Sequence, residues 1–547
     1  MKKGRRKGSR GRRGDPQGTP RASIPPRPSQ PAVAWLAFAV GLFSFLLYLP
    51  SLRSGFVYDA QAQIVIDDYL HDRSHFADVL SFRVLAQDVL DGTRPMQLLS
   101  LMVDALFWGK NPFGYHLTSN LLHAANAALL FLLLARLGPG NSAARWTAAL
   151  AALVFAAHPV LVEPVAEVSS REDVLATFFL LLSLLLAFRW VNDKAGVWTL
   201  AGCLAAVPLA CASKETGVAA PFLLLGCGLL FRGETPLRRW LAVSGGALAL
   251  AGLFFAARFA LQPDESEIFL HKPAYLGGSL KTVFLIQPYI WAFQIRSLFW
   301  PTGLSADYVA QNVRALSTAA MVAILAVFLL AQGLAAWKSR IAALGLAMFW
   351  LGLAPVSNFI PIYRPVADRY LYLPMAGLAM TLCGVLLFTL RWRRVHAVLL
   401  AVAVCGIGVL AGMTVRREEV FANSLNLWTD AFAKSPHSDT AANNLAYALL
   451  EEGNYTEALK VFDKAVRLTR GKKPNVWAGA AVTLEKLGRP ADAEAALDQA
   501  IGLEEIYADP DRVVKSMLVT QEQADVLRAI LRRKALRSVP ADGAPGP

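Results

Sequence analysis

Apolar residues run along most of the chain in blocks, separated by short stretches that carry Arg, Lys, Pro or Gly. A helix needs about 20 apolar residues to cross a bilayer. The blocks predict eleven transmembrane helices, near residues 32–51, 116–137, 146–166, 173–190, 197–212, 217–231, 240–261, 315–337, 341–357, 370–390 and 395–415. None alternates with the period of two that marks a barrel strand. A further apolar block, 279–300, is broken by Gln287, Pro288, Gln294 and Arg296. It reads as a re-entrant or surface-lying segment.

Beyond residue 415 the pattern becomes amphipathic. NNLAYALLEEGNYTEALKVFDKAV is followed by VWAGAAVTLEKLGRPADAEAALDQAI, so that Gly453, Ala458 and Ala465 recur as Gly488, Ala493 and Ala500. Small residues and Gly at a period of about 34 mark tetratricopeptide repeats, each a pair of helices. Ala431, upstream of Ala465, extends the register, and residues 519–537 read as a capping helix. The expected fold is all-α: a polytopic membrane helical bundle, then a short soluble α-solenoid. The expected domains are a disordered basic tail (1–31), the transmembrane domain (32–415), the repeats with their cap (416–537) and a disordered tail (538–547).

Composition agrees with this pattern. Of the 547 residues, 55% are hydrophobic and 17% charged, with a mean hydropathy of +0.41. A soluble surface usually takes about 25% charged residues. The net charge of +14 gathers in part at the N-terminus, where ten Lys or Arg within residues 1–30 face one acid, Asp15. Ahead of a membrane helix, such a run reads as a cytoplasmic tail that orients the helix rather than as a nucleic-acid-binding arm. Five cysteines (Cys203, Cys211, Cys227, Cys383, Cys405) all fall in apolar blocks, without the spacing of a metal site.

Charge also orders the helices. With 279–300 not crossing, Arg145, Arg189 with Lys194, Arg232 with Arg238 and Arg239, Lys338 with Arg340, and Arg391 with Arg393 and Arg394 all join the tail on the cytoplasmic side. The outer face then receives the 52–93 loop, residues 158–170, 213–217, 262–314 and 358–369, together with the repeats. A bacterial inner membrane, with the repeats periplasmic, fits the Ala- and Arg-rich style.

The chemistry-bearing residues gather on that outer face. Asp59 follows the first helix and suits a general base as well as a turn acid. His158, Glu163 and Glu167 precede a helix start that holds Arg171 and Asp173. Lys214 and Glu215 form a charged turn, Arg94 is a further cation, and Asp368, Arg369 and Tyr370 follow Arg364. Each has an ordinary structural reading, such as a helix cap or an interfacial belt. Together they suit transfer from a membrane-anchored phosphate ester. Cations would hold the phosphate and a carboxylate would take a proton from the incoming hydroxyl. A transporter would instead place charge near the membrane midplane.

These stretches resemble the transmembrane-and-TPR O-mannosyltransferases, within the GT-C group of glycosyltransferases. The matching segments are GFVYD (55–59), RPMQLLS (94–100), NPFGYHLTSNLLHAANAALL (111–130), HPVLVEPVAEVSSREDVLA (158–176), SKE (213–215), LSADY (304–308) and ADRYLYLP (367–374), then the repeats. The resemblance implies an inverting enzyme that moves mannose or another hexose from a polyprenyl-phosphate donor to Ser or Thr hydroxyls of a protein acceptor on the lumenal or periplasmic face. Asp59 would be the base. Arg171, Lys214 and Arg369 would surround the donor phosphate, and Glu163 or Glu167 would shape the sugar site. The repeats would present the acceptor. No metal ligands are assigned, and a divalent ion is left open. The family's paired acids are not both present, since Ala60 follows Asp59. That departure supports the alternative of a non-catalytic membrane anchor displaying the repeats.

Overall fold

The computed structural model describes residues 30–233, 235–262, 274–516 and 519–538, and these form helices and connecting turns without a strand. Of the expected disordered tails, 1–31 and 538–547, residues 30, 31 and 538 are helical and the rest lie outside the described residues. In the membrane domain the longer helices are α1 (Gln30–Leu47), α2 (Pro95–Trp108), α3 (Pro112–Leu137), α4 (Ser142–Ala156), α5 (Arg171–Val191), α6 (Val197–Ser213), α7 (Ala219–Phe231), α8 (Leu237–Leu261), α9 (Leu280–Phe299), α10 (Thr318–Lys338), α11 (Arg340–Leu353), α12 (Tyr372–Thr389) and α13 (Arg393–Val420). In the repeat domain they are α14 (Ser424–Lys434), α15 (Asp439–Glu451), α16 (Tyr455–Thr469), α17 (Pro474–Lys486), α18 (Pro490–Leu503) and α19 (Gln521–Ser538).

Each of the eleven expected spans coincides with a helix, but the count of eleven is not reproduced. Among the described residues, 6 helices are long and apolar enough to cross a membrane, or 7 if one bent pair is a single span. That pair, Ser142–Ala156 with Pro159–Ala166, bends by 53°. The bend falls at His158–Pro159, because proline lacks a donor and disfavours helix at the preceding residue. The spans expected at 32–51, 197–212, 217–231 and 341–357 are shorter apolar helices of 10–17 residues. Helix α2 is a further helix of that kind which the pattern did not single out. Block 279–300 is one continuous helix, α9, with Pro288 inside it, so it does not double back as a re-entrant loop.

Helices α3, α5 and α12 form the interior of the bundle, while α10 and α13 lie at its edge. Val322, Val327, Leu329 and Leu330 on α10, and Val395, Val398, Val402 and Val409 on α13, are exposed. Apolar faces of that extent need lipid rather than water around them. Helices α11 and α12 run antiparallel, for Gly345 lies against Gly377, Gly352 against Leu373 and Gly384 against Ser339. Helix α5 runs from Arg171 to Val191 with Arg189 in its last turn, and α12 begins just after Asp368 and Arg369 and ends just before Arg391. A charged cluster and an arginine-rich edge therefore mark opposite ends of the bundle.

The repeats follow the expected register. Gly453 and Gly488, with φ of 76° and 72°, lie just past the first helix of each pair. Phe462 and the small residues Ala458, Ala465, Ala493 and Ala500 are buried between the layers.

Candidate functional site

The site begins where α1 ends. Pro50 initiates a tight turn over Leu49–Arg53, the chain extends through Ser54–Val57, and Tyr58 turns it with a φ of 59°. A bulky side chain in the left-handed region is strained. Asp59 follows immediately. Its side chain is exposed to solvent, yet protein surrounds it closely enough that the loss of bulk water pushes its carboxyl above the usual range. Arg364 and Arg369 pull it back, while Glu172 and Glu163 add to the rise. Ala60 is fully buried in a satellite core with Phe56, Ile64, Leu70 and Leu98.

Around Asp59 the candidate residues converge as alternating charges. Arg369 Nη1 donates to Glu163 Oε1 at 2.6 Å, and its backbone N–H donates to Glu163 Oε2 at 3.1 Å. Lys214 pairs with Glu172 at 3.1 Å and with Asp173, and it lies over the Tyr370 ring at 5.2 Å. Arg94 meets Asp91 and Glu172, both at 3.0 Å, and Glu215 at 3.6 Å. Arg258 meets Glu215 at 2.7 Å. Lys214 stands at the apex of the α6–α7 turn. A Cβ at Gly217 would sit 2.4 Å from the carbonyl carbon of Ala210, so only glycine lets the chain reverse this tightly there.

Burial also raises the Asp91 carboxyl to about 6, with Arg94 opposing, and the Glu167 carboxyl to about 7, to which nearby Asp59 contributes. Glu167 caps the turn Val168–Ser170 by accepting from the backbone N–H and hydroxyl of Ser169.

Two expected residues are placed elsewhere. Arg171 is fully buried. Its three guanidinium nitrogens are engaged by Asp104 at 2.6 Å, Ser100 at 2.8 Å, Ser119 at 3.0 Å and the Tyr115 carbonyl at 2.6 Å. It joins α5 to α2 and α3 and meets none of the other candidates. His158 is buried, with Nε2 at 2.9 Å from the Leu298 carbonyl and Nδ1 accepting from Val160 N–H at 3.2 Å. It shapes the α4 bend. Asp368 lies at the edge of the cluster, accepting from the Tyr308 hydroxyl at 2.6 Å and facing Arg417 at 3.8 Å.

Asp91, Arg258 and Trp428 were not named from sequence; Glu172 and Asp307 fell only within quoted segments, and Arg364 was noted only as part of its segment. Arg258 carried a legible signal, since it is a lone charge late in an apolar helix and such residues are costly in a membrane. Its Nε and Nη1 are buried without a hydrogen-bond partner among the described residues. Asp307 pairs with Arg364 and accepts from Ser438 Oγ, and Trp428 stacks on Tyr58. Neither contact has any local signal, because 131 residues separate Asp307 from Ser438. Among the described residues, no group of three or more His, Cys, Asp or Glu side chains converges as a metal site would.

Fold and site thus define a multi-pass helical membrane protein with a charged cluster at one end of its bundle, under a tetratricopeptide array. A tetratricopeptide repeat family model matches residues 449–504. The chain is similar to the protein O-mannosyl-transferase TMTC4 of Mus musculus, at 26% identity over 78% of this chain and 66% of that protein. It is also similar to Tmtc2 of Drosophila melanogaster, at 31% identity over 48% of this chain and 29% of that protein. The similarity read from the motifs thus extends over most of the chain, although the chain spans only about two thirds of the length of the TMTC4 relatives. Among solved structures, ArnT from Cupriavidus metallidurans bound to undecaprenyl phosphate aligns with a TM-score of 0.38 and 17% identity, covering 94% of this chain and 90% of that one.

Proposed function

We propose that this chain is a membrane glycosyltransferase that moves mannose or another hexose from a polyprenyl-phosphate donor to a Ser or Thr hydroxyl of a protein acceptor. The observation that carries the reading is Asp59, a solvent-reached carboxylate beside Arg364 and Arg369 at the charged end of the bundle. Similarity to curated O-mannosyltransferases supports the reaction class.

In this reading Asp59 accepts the proton of the acceptor hydroxyl as its oxygen attacks the anomeric carbon. The bond from that carbon to the phosphate oxygen breaks, and the polyprenyl phosphate leaves with the bonding electrons. Attack from the face opposite the phosphate inverts the anomeric centre. A phosphate is a good leaving group, so no general acid is required. Arg94, Lys214, Arg258 and Arg369 lie where the phosphate charge would be met. Arg258 suits it best, because its buried Nε and Nη1 have no hydrogen-bond partner among the described residues. Glu163 orients Arg369, and Glu172 and Asp173 hold Lys214. Arg171 is not assigned to the phosphate in this reading, because it is fully buried and four of its five N–H donors meet Asp104, Ser100, Ser119 and the Tyr115 carbonyl.

The arginine-rich edge faces the cytoplasm on the positive-inside rule. On that rule Asp59 and the repeats would lie on the other side, the periplasm of a bacterial inner membrane. The repeats would present the acceptor there.

One observation favours the second reading, a non-catalytic anchor: the second acid of the family's pair is Ala60. Yet position 60 points into an apolar core rather than toward Arg364, so in this chain a carboxylate there would not serve the site. Transfer of label from polyprenyl-phosphate mannose to protein separates the two readings. It occurs with the wild type and stops with Asp59→Asn if the chain is the transferase, and neither protein transfers if it is an anchor.

A further inference from the structure

The segment that carries Asp59 is held by the junction leading into the repeats. Ser51 N–H donates to Glu418 Oε2 at 3.1 Å, Gly55 N–H donates to the Ala422 carbonyl at 2.9 Å, and the Tyr58 ring stacks on Trp428 at 5.4 Å with 19° between the planes. These three ties fall between Ser51 and Tyr58, and all of them reach the end of α13 or the start of α14.

The third tie bears most directly on Asp59. A left-handed conformation at a bulky residue is strained and persists only where its surroundings over-determine it. The Tyr58 hydroxyl supplies no anchor, being buried without a hydrogen-bond partner among the described residues. Its ring is instead set by Trp428 and by the guanidinium groups of Arg364 and Arg369, at 5.0 and 5.9 Å from the ring centre.

Trp428 is itself buried, on a helix fixed at several points. Asp430 pairs with Arg417 at 2.9 Å, Lys434 Nζ donates to the Leu304 carbonyl at 2.7 Å, and Ser435 Oγ donates to the Asp307 carbonyl at 3.1 Å. Asp307 also holds Arg364, which closes a ring of contacts from Tyr58 through α14 and back to Tyr58.

We propose that Trp428 is a positioning residue: the first helix of the repeat domain holds Tyr58 in its turn and so sets where the adjacent Asp59 carboxylate points. This rests on the reading of Asp59 as the base. The repeat domain is then part of the active site, as well as a platform for the acceptor.

The test uses the full chain in detergent, with radiolabelled polyprenyl-phosphate mannose and a Ser/Thr-containing peptide. Transfer kinetics, donor affinity and melting temperature are measured for Trp428→Ala, Trp428→Phe, Trp428→Leu, Tyr58→Ala, the Tyr58→Ala/Trp428→Ala double variant and Asp59→Asn. A base displaced by about 1 Å loses on the order of a hundredfold in rate, so Trp428→Ala is expected to lower kcat about ten- to a hundredfold with donor KM within about twofold. Trp428→Phe restores most of the rate because it keeps a flat ring. The double variant is no slower than Tyr58→Ala alone, since both substitutions break one contact.

Wild-type kcat in Trp428→Ala, or losses that multiply in the double variant, would overturn the proposal. Should Trp428→Ala melt below the assay temperature, Trp428→Leu takes its place. It keeps part of the apolar volume without a stacking plane, so it is expected to be slow, and full activity there counts against the proposal equally. Activity surviving in Asp59→Asn removes the base itself, whatever Trp428 does. A dead Asp59→Asn beside a wild-type Trp428→Ala or Trp428→Leu removes only the positioning role.

Discussion

At the scale of single residues, Asp59 and Ala60 are neighbours in opposite environments. Asp59 meets solvent beside two arginines, and Ala60 is packed among Phe56, Ile64 and Leu70. Restoring an acid pair by Ala60→Asp would bury a carboxylate without a partner, at a cost of several kcal/mol. The variant is expected to melt well below the wild type without gaining activity, and a fluorescence melting curve beside a transfer assay checks both. The raised Asp59 carboxyl has a kinetic consequence. A general base works only when ionised, so a raised value moves the acid limb of kcat/KM to higher pH. Activity is expected to fall as the pH drops through a value above the usual carboxylate pKa of about 4. An acid limb at or below that pH would contradict the exclusion of bulk water by the protein around Asp59. Arg258→Ala is expected to raise the donor KM more than it lowers kcat, because the lost contact is made to a phosphate present in both ground and transition states. A donor titration decides it.

At the scale of elements, helix positions were legible because apolar blocks and the repeat period are local signals. Helix ends were not. The α4 bend divides a span that reads as continuous, while the helices on either side of the Lys214 turn and the one ending at the Pro355 turn stay short of a full span. They depend on packing as well as on the prolines nearby. The α6–α7 turn depends on Gly217 lying against the Ala210–Cys211 backbone. Gly217→Ala is expected to destabilise it by about 1–3 kcal/mol and to lower activity by moving Lys214. An unchanged melting temperature would show that the turn can relax. The cluster was legible in part. Arg94, Glu163, Asp173, Lys214, Glu215 and Arg369 do come together, because all lie at helix ends on one side of the bundle. Arg171 looked equally exposed in sequence. Its burial depends on Asp104 of α2, the helix that the apolar pattern passed over. Asp307 and Trp428 were not legible, since their partners are distant in sequence.

At the scale of the whole molecule, charge segregates along the bundle. Arg136, Lys338 and Arg340 gather at one end of the bundle, and the paired cluster with the repeat junction sits at the other. In the proposed reading, this arrangement would put catalysis and acceptor handling on one side of the membrane. The central claim is that the cluster transfers a sugar with Asp59 as base. The direct test incubates purified full-length protein with radiolabelled polyprenyl-phosphate mannose and membrane-protein acceptors, wild type beside Asp59→Asn, after both are shown to melt at the same temperature. The account predicts label on protein with the wild type and none with the variant. Equal labelling by both would remove Asp59 as the base, and no labelling by the wild type, despite donor binding, would contradict the transferase itself.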